Sequence, residues 1–314
     1  MTENERILQL DRALEARLFS HDDPLLSIAE DLVDMPSTRF RKNFRRRLEM
    51  AAAQRSQKMP AHIRPGDHSV IPYLVVPDAN ALIEFIKTAF HAEEIMRAPA
   101  PDGKVMHAEL HIGDATVDVA DGNENYPAGT LPLHLYVEDA DAAYSRAIAA
   151  GATSLHEPRD QPYGDREGSI RDIAGNNWYI ATHRATGHRP VGMLSLSPYL
   201  HVNGALEMLA FLEGAFGAET LEKYTDPDGR VAHSKVRLGD SMIEMSEAHG
   251  QWQPMPGNIL IYVEDVDSAY ARALELGAKS ISAPENKPYG DRSAGVIDPK
   301  DHSWFISSWL GENA

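Results

Sequence analysis

Five residues occur twice in this chain in the same order. Pro162-Tyr163-Gly164-Asp165-Arg166 returns 126 positions later as Pro288-Tyr289-Gly290-Asp291-Arg292. At the same offset Pro101-Asp102-Gly103 returns as Pro227-Asp228-Gly229, and Tyr136-Val137-Glu138-Asp139 as Tyr262-Val263-Glu264-Asp265. The offset runs without a gap from Tyr73/Tyr199 to Trp178/Trp304, with roughly a third of paired residues identical, which marks a duplicated domain. Such a chain must fold one way twice, and the positions that differ between copies become informative.

The length of 314 residues suits two domains plus an extension. Hydrophobic residues at 43% and charged residues at 25% place the chain among globular proteins. Cysteine is absent, which removes disulfides, thiolate metal sites and cysteine nucleophiles. The N-terminus carries Glu3, Glu5 and Arg6 in place of a signal-peptide core, and no apolar run is long enough to span a bilayer, so a soluble cytoplasmic protein is expected. A formal charge of −17 disfavours nucleic acid and anionic membranes as partners. One stretch opposes that charge: Arg39, Arg41, Lys42, Arg45, Arg46 and Arg47, with Phe40, Phe44 and Leu48 along one helical face. It reads either as a docked amphipathic helix with a solvated basic face or as a contact surface for nucleic acid or an acidic partner.

Residues 1–60 have helical periodicity and form a helical N-terminal segment; the repeats span 68–184 and 194–310. In the first repeat, Val70–Val76 is strand-like, and Asp78 opens a helix carrying Leu82, Phe85, Ile86 and Phe90. Strand patterns follow at Glu94–Ala98, Val105–Ile112 and Thr116–Ala120. The order restarts with Leu133–Val137, a helix capped by Asp139, and strands near Thr153–His156, Ser169–Asp172 and Trp178–Thr182. Each repeat therefore contains two βαβββ units, giving an α+β fold.

Paired βαβββ units resemble the vicinal oxygen chelate superfamily, which includes glyoxalase I, extradiol dioxygenases, fosfomycin-resistance transferases and bleomycin-resistance proteins. The resemblance leans toward the PhnB-like branch. It is carried by Pro72-Tyr73-Leu74, Phe90, Val105 through Leu110, Asp139-Ala140-Asp141, the Tyr-Gly-Asp-Arg loop and Asp172 through Trp178, with Pro198-Tyr199-Leu200, Phe216 through Glu219 and Asp298 through Trp304 in the second copy. It implies tandem domains, each of two βαβββ units forming a curved half-barrel sheet, and it specifies fold more than reaction.

Metal-using members of that superfamily hold one divalent ion with His or Gln, Glu, His and Glu from the first, fourth, fifth and eighth strands. Carried over by spacing, these positions fall on Ile71, Asp118, Pro132 and Tyr179, and on Ser197, Glu244, Asn258 and Phe305 in the second copy. Only the fourth-strand position is acidic, and a catalytic metal needs about three protein ligands, so no metal and no cofactor is expected. Two rearranged sets offer alternatives: His107, Glu109 and His111 on one strand face, and Asp118 with His134 and His183. A polar strand face usually marks the wet side of a sheet, and isolated histidines are usually hydrogen-bonded.

Strand parity places Tyr73, Tyr136 and Tyr179 on the side of Asp118, and Tyr199, Tyr262 and Phe305 on that of Glu244, with His134 and His201 projecting likewise. Such a lining suits an aromatic or cationic small molecule; the alternative is that the aromatics fill a closed barrel. Asp118, Glu244 and the histidines present in both copies, His107 and His233, are the catalytic candidates should the chain be an enzyme. Three functions follow: a metal-free binding protein of the resistance or sequestration type, an enzyme with non-standard acid–base or metal chemistry, or a regulatory protein acting through its basic N-terminus. The copies are expected to pair inside one chain as a pseudo-dimer, with homo-oligomerisation left open.

Overall fold

A computed structural model describes residues 60–185 and 187–311. The helical segment expected over residues 1–60, including the basic stretch from Arg39 to Arg47, lies outside the described residues. Four βαβββ units follow one another. The first is β1 (Val70–Val76), α1 (Ala79–Phe90), β2 (Glu93–Pro99), β3 (Val105–Ile112) and β4 (Ala115–Asp121). The second is β5 (Leu133–Tyr136), α2 (Ala140–Ala149), β6 (Thr153–Asp160), β7 (Asp165–Arg171) and β8 (Asn177–His183). The third is β9 (Leu196–Val202), α3 (Ala205–Phe216), β10 (Glu219–Thr225), β11 (Val231–Leu238) and β12 (Ser241–Glu247). The fourth is β13 (Asn258–Tyr262), α4 (Val266–Glu275), β14 (Lys279–Asn286), β15 (Asp291–Ile297) and β16 (Ser303–Trp309).

Helix starts follow from single side chains. Asp78, Asp139 and Asp265 each accept, at 3.0 Å, a hydrogen bond from the backbone N–H three residues on, satisfying a donor that the helix leaves open. The third helix has Gly204 at the cap, and Glu247 at the end of β12 accepts from the N–H groups of Gly204 and Ala205 at 2.7 and 2.9 Å. Asp121 occupies the corresponding place at the end of β4 and accepts from Ala79 N–H at 3.1 Å. Each of these carboxylates ties the last strand of a unit to that unit's helix.

The strands form two eight-stranded sheets, ordered β14-β15-β16-β13-β1-β4-β3-β2 and β10-β11-β12-β9-β5-β8-β7-β6. Neither sheet belongs to one repeat. The first joins unit one to unit four through the antiparallel pair β1/β13, and the second joins unit two to unit three through β5/β9. This differs from the expected sheet built of two units from the same repeat. Side-chain alternation reports which face a residue takes, and it is the same whichever unit lies alongside. The helices keep the repeat together: α1 packs on α2 and α3 on α4, and the Arg146 and Arg272 guanidinium Nε atoms donate to the carbonyls of Ala89 and Ala215 at 3.0 Å. Beneath them Phe90 meets Trp178 and Phe216 meets Trp304 at ring separations of 4.6 and 5.2 Å. Both indoles are fully buried and donate to Asp172 and Asp298 at 2.8 and 2.7 Å.

The two repeats are also tied at two equivalent turns. Asp114 accepts from the N–H and hydroxyl of Ser195, and Asp240 accepts from the N–H of Ser69. Beside them Gly113 and Gly239 adopt φ of 64° and 58°, and a Cβ there would lie 2.4 and 2.0 Å from the hydroxyls of Ser195 and Ser69. Both the left-handed backbone and the close approach require glycine.

Candidate functional site

The concave face of each sheet encloses a cleft. Cleft 1, between units one and four, has a volume of about 440 Å³; cleft 2, between units two and three, about 660 Å³. Every residue named above as a ligand-binding or catalytic candidate lines one or the other. Tyr73, His107, Asp118, Tyr262 and Phe305 line cleft 1. His134, Tyr136, Tyr179, Tyr199, His201, His233 and Glu244 line cleft 2. Grouping Tyr136 and Tyr179 with Asp118 therefore needs correcting, as does grouping Tyr262 and Phe305 with Glu244: the sheets cross the repeat boundary, so these residues lie in opposite clefts.

The same exchange separates the alternative set of Asp118, His134 and His183, because the two histidines line cleft 2. His183 instead bonds Asp165 at 2.6 Å. His107 and Glu109, expected on a solvated strand face, point into cleft 1, since the other face of β3 packs Ala108, Leu110 and Ile112 in the core. The fifth-strand position also shifts. His134 and Leu260 line the clefts, two residues beyond Pro132 and Asn258.

This settles which donors surround a metal position of the implied kind. Cleft 1 offers Ile71, Asp118, Leu260 and Phe305, a single carboxylate among apolar groups. At the matching positions stand Ser197, which is buried outside the lining of cleft 2, and Glu244, His134 and Tyr179, which line it, with His134 Nδ1 and Glu244 Oε1 already hydrogen-bonded to each other at 2.8 Å. Among the described residues no three His, Cys, Asp or Glu side chains converge as a metal-binding group. The residues present do not fit the superfamily's divalent ion.

Cleft 1 is acidic and aromatic. Tyr73 and Asp118 are register partners on the parallel strands β1 and β4. Phe305 packs with Tyr73 at 5.4 Å and with Tyr126 at 5.8 Å between ring centres. Five carboxyls line the cleft; three accept hydrogen bonds and a fourth, Glu109, makes an ion-pair contact. Asp67 accepts from Thr116 and Tyr262 at 3.3 Å, Asp121 caps backbone N–H groups, Asp291 accepts from Arg64 at 3.1 Å, and Glu109 lies 3.4 Å from His111 Nε2. Asp118 has no hydrogen-bonding partner among the described residues; His107 Nε2 lies 3.9 Å from it. Burial, reinforced by the charges of Asp67 and Glu109, pushes the Asp118 carboxyl well above the usual carboxylate range. Burial and the Arg64 charge push His107 down to about 4, so it is neutral and supplies no counter-charge. Burial likewise raises Asp67 to about 6.

Cleft 2 has the same backbone and another chemistry. Burial alone would depress the His134 imidazolium, but the Glu244 carboxylate beside it, with Glu167 and Asp165 further off, raises it to about 9. Glu244 is held below its ordinary value by His134 despite the opposing effect of burial. Each other carboxyl here also has a partner: Asp165 meets His183 and Tyr136, Glu167 accepts from Tyr163 at 3.2 Å, and Glu222 faces Lys235 at 3.5 Å. A run of rings lines the wall, with Tyr199 against His201 at 4.8 Å and His201 stacked on Trp252 at 5.8 Å. Burial lowers His201 to about 4; it bonds the Tyr179 hydroxyl and Ser246 at 2.8 Å.

Two features treat both copies alike. His107 and His233 each bond a tyrosine hydroxyl, of Tyr73 and Tyr199, at 3.2 Å. In the repeated loop the arginine and aspartate face opposite ways. Arg166 and Arg292 reach out to the carboxylates of Asp141 and Asp267 at the helix starts, while Asp165 and Asp291 point into the clefts. Sequence reasoning missed Arg64 and Asp67, which lie in what reads as a linker, and Glu167, which lies in a polar stretch without alternation. It also missed Tyr126 and Trp252, although an aromatic residue recurring at the 126-residue offset was a usable signal.

A profile described as the Glyoxalase/Bleomycin resistance protein/Dioxygenase superfamily matches residues 61–180 and 198–306. An uncharacterised Mycobacterium tuberculosis protein, Rv0887c, is 38% identical over 145 residues, which is 43% of this chain and 84% of the relative. Another from Mycobacterium bovis, Mb0911c, is 42% identical over 120 residues, 35% of this chain and 79% of the relative. Among solved structures, glyoxalase I from Zea mays superposes with a TM-score of 0.57 at 19% identity, covering 76% of this chain and 90% of that one, a likeness of fold.

Proposed function

Because the chain belongs to the glyoxalase/bleomycin resistance protein/dioxygenase superfamily, we propose that it uses the fold to bind a small molecule without a metal. The ligand is an aromatic or cationic compound, and the role is resistance or sequestration in the cytoplasm, nearest to the PhnB-like and bleomycin-resistance types. One observation carries the reading: both clefts keep a ring-lined cavity of ligand size, while the metal-ligand positions of cleft 1 are apolar except for Asp118 and those of cleft 2 include His134 and Glu244 bonded to each other. Stacking on Tyr73 and Phe305 or on Tyr199 and Trp252 holds a planar group without catalytic machinery. Among the described residues no helix is long and apolar enough to cross a membrane.

The test is equilibrium binding of a panel of aromatic amines to protein stripped with a chelator, beside elemental analysis of the untreated protein. Saturable binding indifferent to the chelator is expected. A stoichiometric divalent ion on which binding depends overturns the reading.

A further inference from the structure

We infer that the chain holds one cation site, not two: cleft 1 takes a planar organic monocation against Asp118, and cleft 2, although built on the same backbone, does not. The inference rests on the small-molecule reading above and specifies which cleft, which charge and what accompanies binding. Asp118 and Glu244 are equivalent residues of β4 and β12, each register-paired with a tyrosine, Tyr73 or Tyr199. Both are buried, at 4% and 2% exposure. Their partners differ. Where Glu244 bonds His134 at 2.8 Å, the position equivalent to His134 is Leu260, which offers Asp118 nothing.

A buried carboxyl without a partner is unfavourable unless something fills that role. The fixed cations of cleft 1 do not. Arg64 is bonded to Asp291 and lies over the Trp309 ring at 4.8 Å, and Lys287 is paired with Glu285. What remains at Asp118 is a carboxyl facing a cavity walled by Tyr73, Tyr126 and Phe305. Aromatic faces and one carboxylate form the environment that selects a desolvated organic cation. Met96, Met106 and Tyr289, all exposed large side chains, extend an apolar rim around the same opening.

Binding also has a proton stoichiometry. The groups around Asp118 come from every side: Asp67 and Arg64 from the segment before β1, Glu109 and His107 from β3, Tyr262 from β13 and Asp291 from β15. Burial and the three carboxyls raise Asp118 while Arg64 opposes them, which favours the protonated carboxyl in the empty site. A bound cation stabilises the carboxylate, so the proton leaves as the cation arrives, and affinity rises with pH until the empty site itself ionises.

The experiment is titration calorimetry of the full chain with trimethylphenylammonium and with its neutral isostere, tert-butylbenzene, in two buffers of different ionisation enthalpy. Expected are one cation per chain, a buffer-dependent heat showing proton release, and a cation affinity at least about tenfold above that of the isostere. Asp118→Asn should reduce that preference about tenfold, and Glu84→Gln, on the exposed face of α1 outside both clefts, should leave it unchanged. Equal affinity for the two probes, two equivalent cation sites, or a cation preference unchanged in Asp118→Asn overturns the cation assignment alone. Saturable binding of neither probe, with none in the amine panel, overturns the small-molecule reading as well.

Discussion

Position for position, clefts 1 and 2 place a buried carboxyl at the same point of the same strand and surround it differently. Glu244 has His134 at 2.8 Å and His233 at 3.7 Å; Asp118 has only a neutral His107 at 3.9 Å. The deciding residue is not on the carboxyl's own unit. It comes from the neighbouring unit across the shared sheet, His134 in one case and Leu260 in the other. A repeated acidic position therefore does not imply a repeated function, because its role is set by a residue that the duplication was free to change separately.

The largest expected effect comes from making cleft 2 resemble cleft 1. His134→Leu installs the residue found at the equivalent position and leaves Glu244 buried without its partner. A loss of about 3–5 kcal/mol is expected in urea unfolding. A loss under about 1 kcal/mol would show that Glu244 needs His134 no more than Asp118 needs Leu260, and the contrast would fail. The pH dependence follows from the shifts. The Glu244 contribution is present above its unfolded value and is lost as pH falls through its depressed folded value. The His134 contribution is complete below its unfolded value and is lost as pH rises through about 9.

An intermediate effect tests what the copies share. Asp172→Asn and Asp298→Asn each weaken the acceptor for a buried tryptophan N–H, so each should lose about 1–3 kcal/mol, and by similar amounts. Clearly unequal losses would show that the scaffolds have diverged as well as the clefts. The smallest effect has the opposite sign. Asp118→Asn should raise stability by about 1 kcal/mol near neutral pH. The folded Asp118 value lies above the unfolded one, so its contribution is complete at low pH and is lost as pH rises. The advantage of asparagine should vanish in acid, and an advantage that persists there would remove the unpaired carboxyl as its cause.

The fold was legible because its signals are local and occur twice. Helix caps at Asp78, Asp139 and Asp265, the apolar periodicity of α1 and the alternation of β3 all act within a few residues. β7 was harder: it begins at Asp165, inside what reads as a loop, and its first residues are all polar, Asp165 and Glu167 facing a cleft and Arg166 reaching out to Asp141. β6 runs past Pro158, which sits where the pairing with β7 shifts register, with Gly168 opposite so that no Cβ meets the proline ring. The clefts were half legible. Parity identified which side chains project onto the concave faces, but not which unit supplies the facing wall, since β1/β13 and β1/β5 pairings would satisfy the same pattern. Arg64 and Asp67 carried no periodic signal because they belong to the short turn that leads into β1.

The sheets that cross the repeat boundary have a consequence for how such a site can change. Two identical chains related by a two-fold axis carry every substitution into both of their clefts at once, so neither cleft can be altered alone. Here the facing walls are separate stretches of one polypeptide, so leucine can stand at 260 while histidine stands at 134. Covalent linkage releases the clefts from symmetry: one can keep its carboxyl internally neutralised while the other leaves it open.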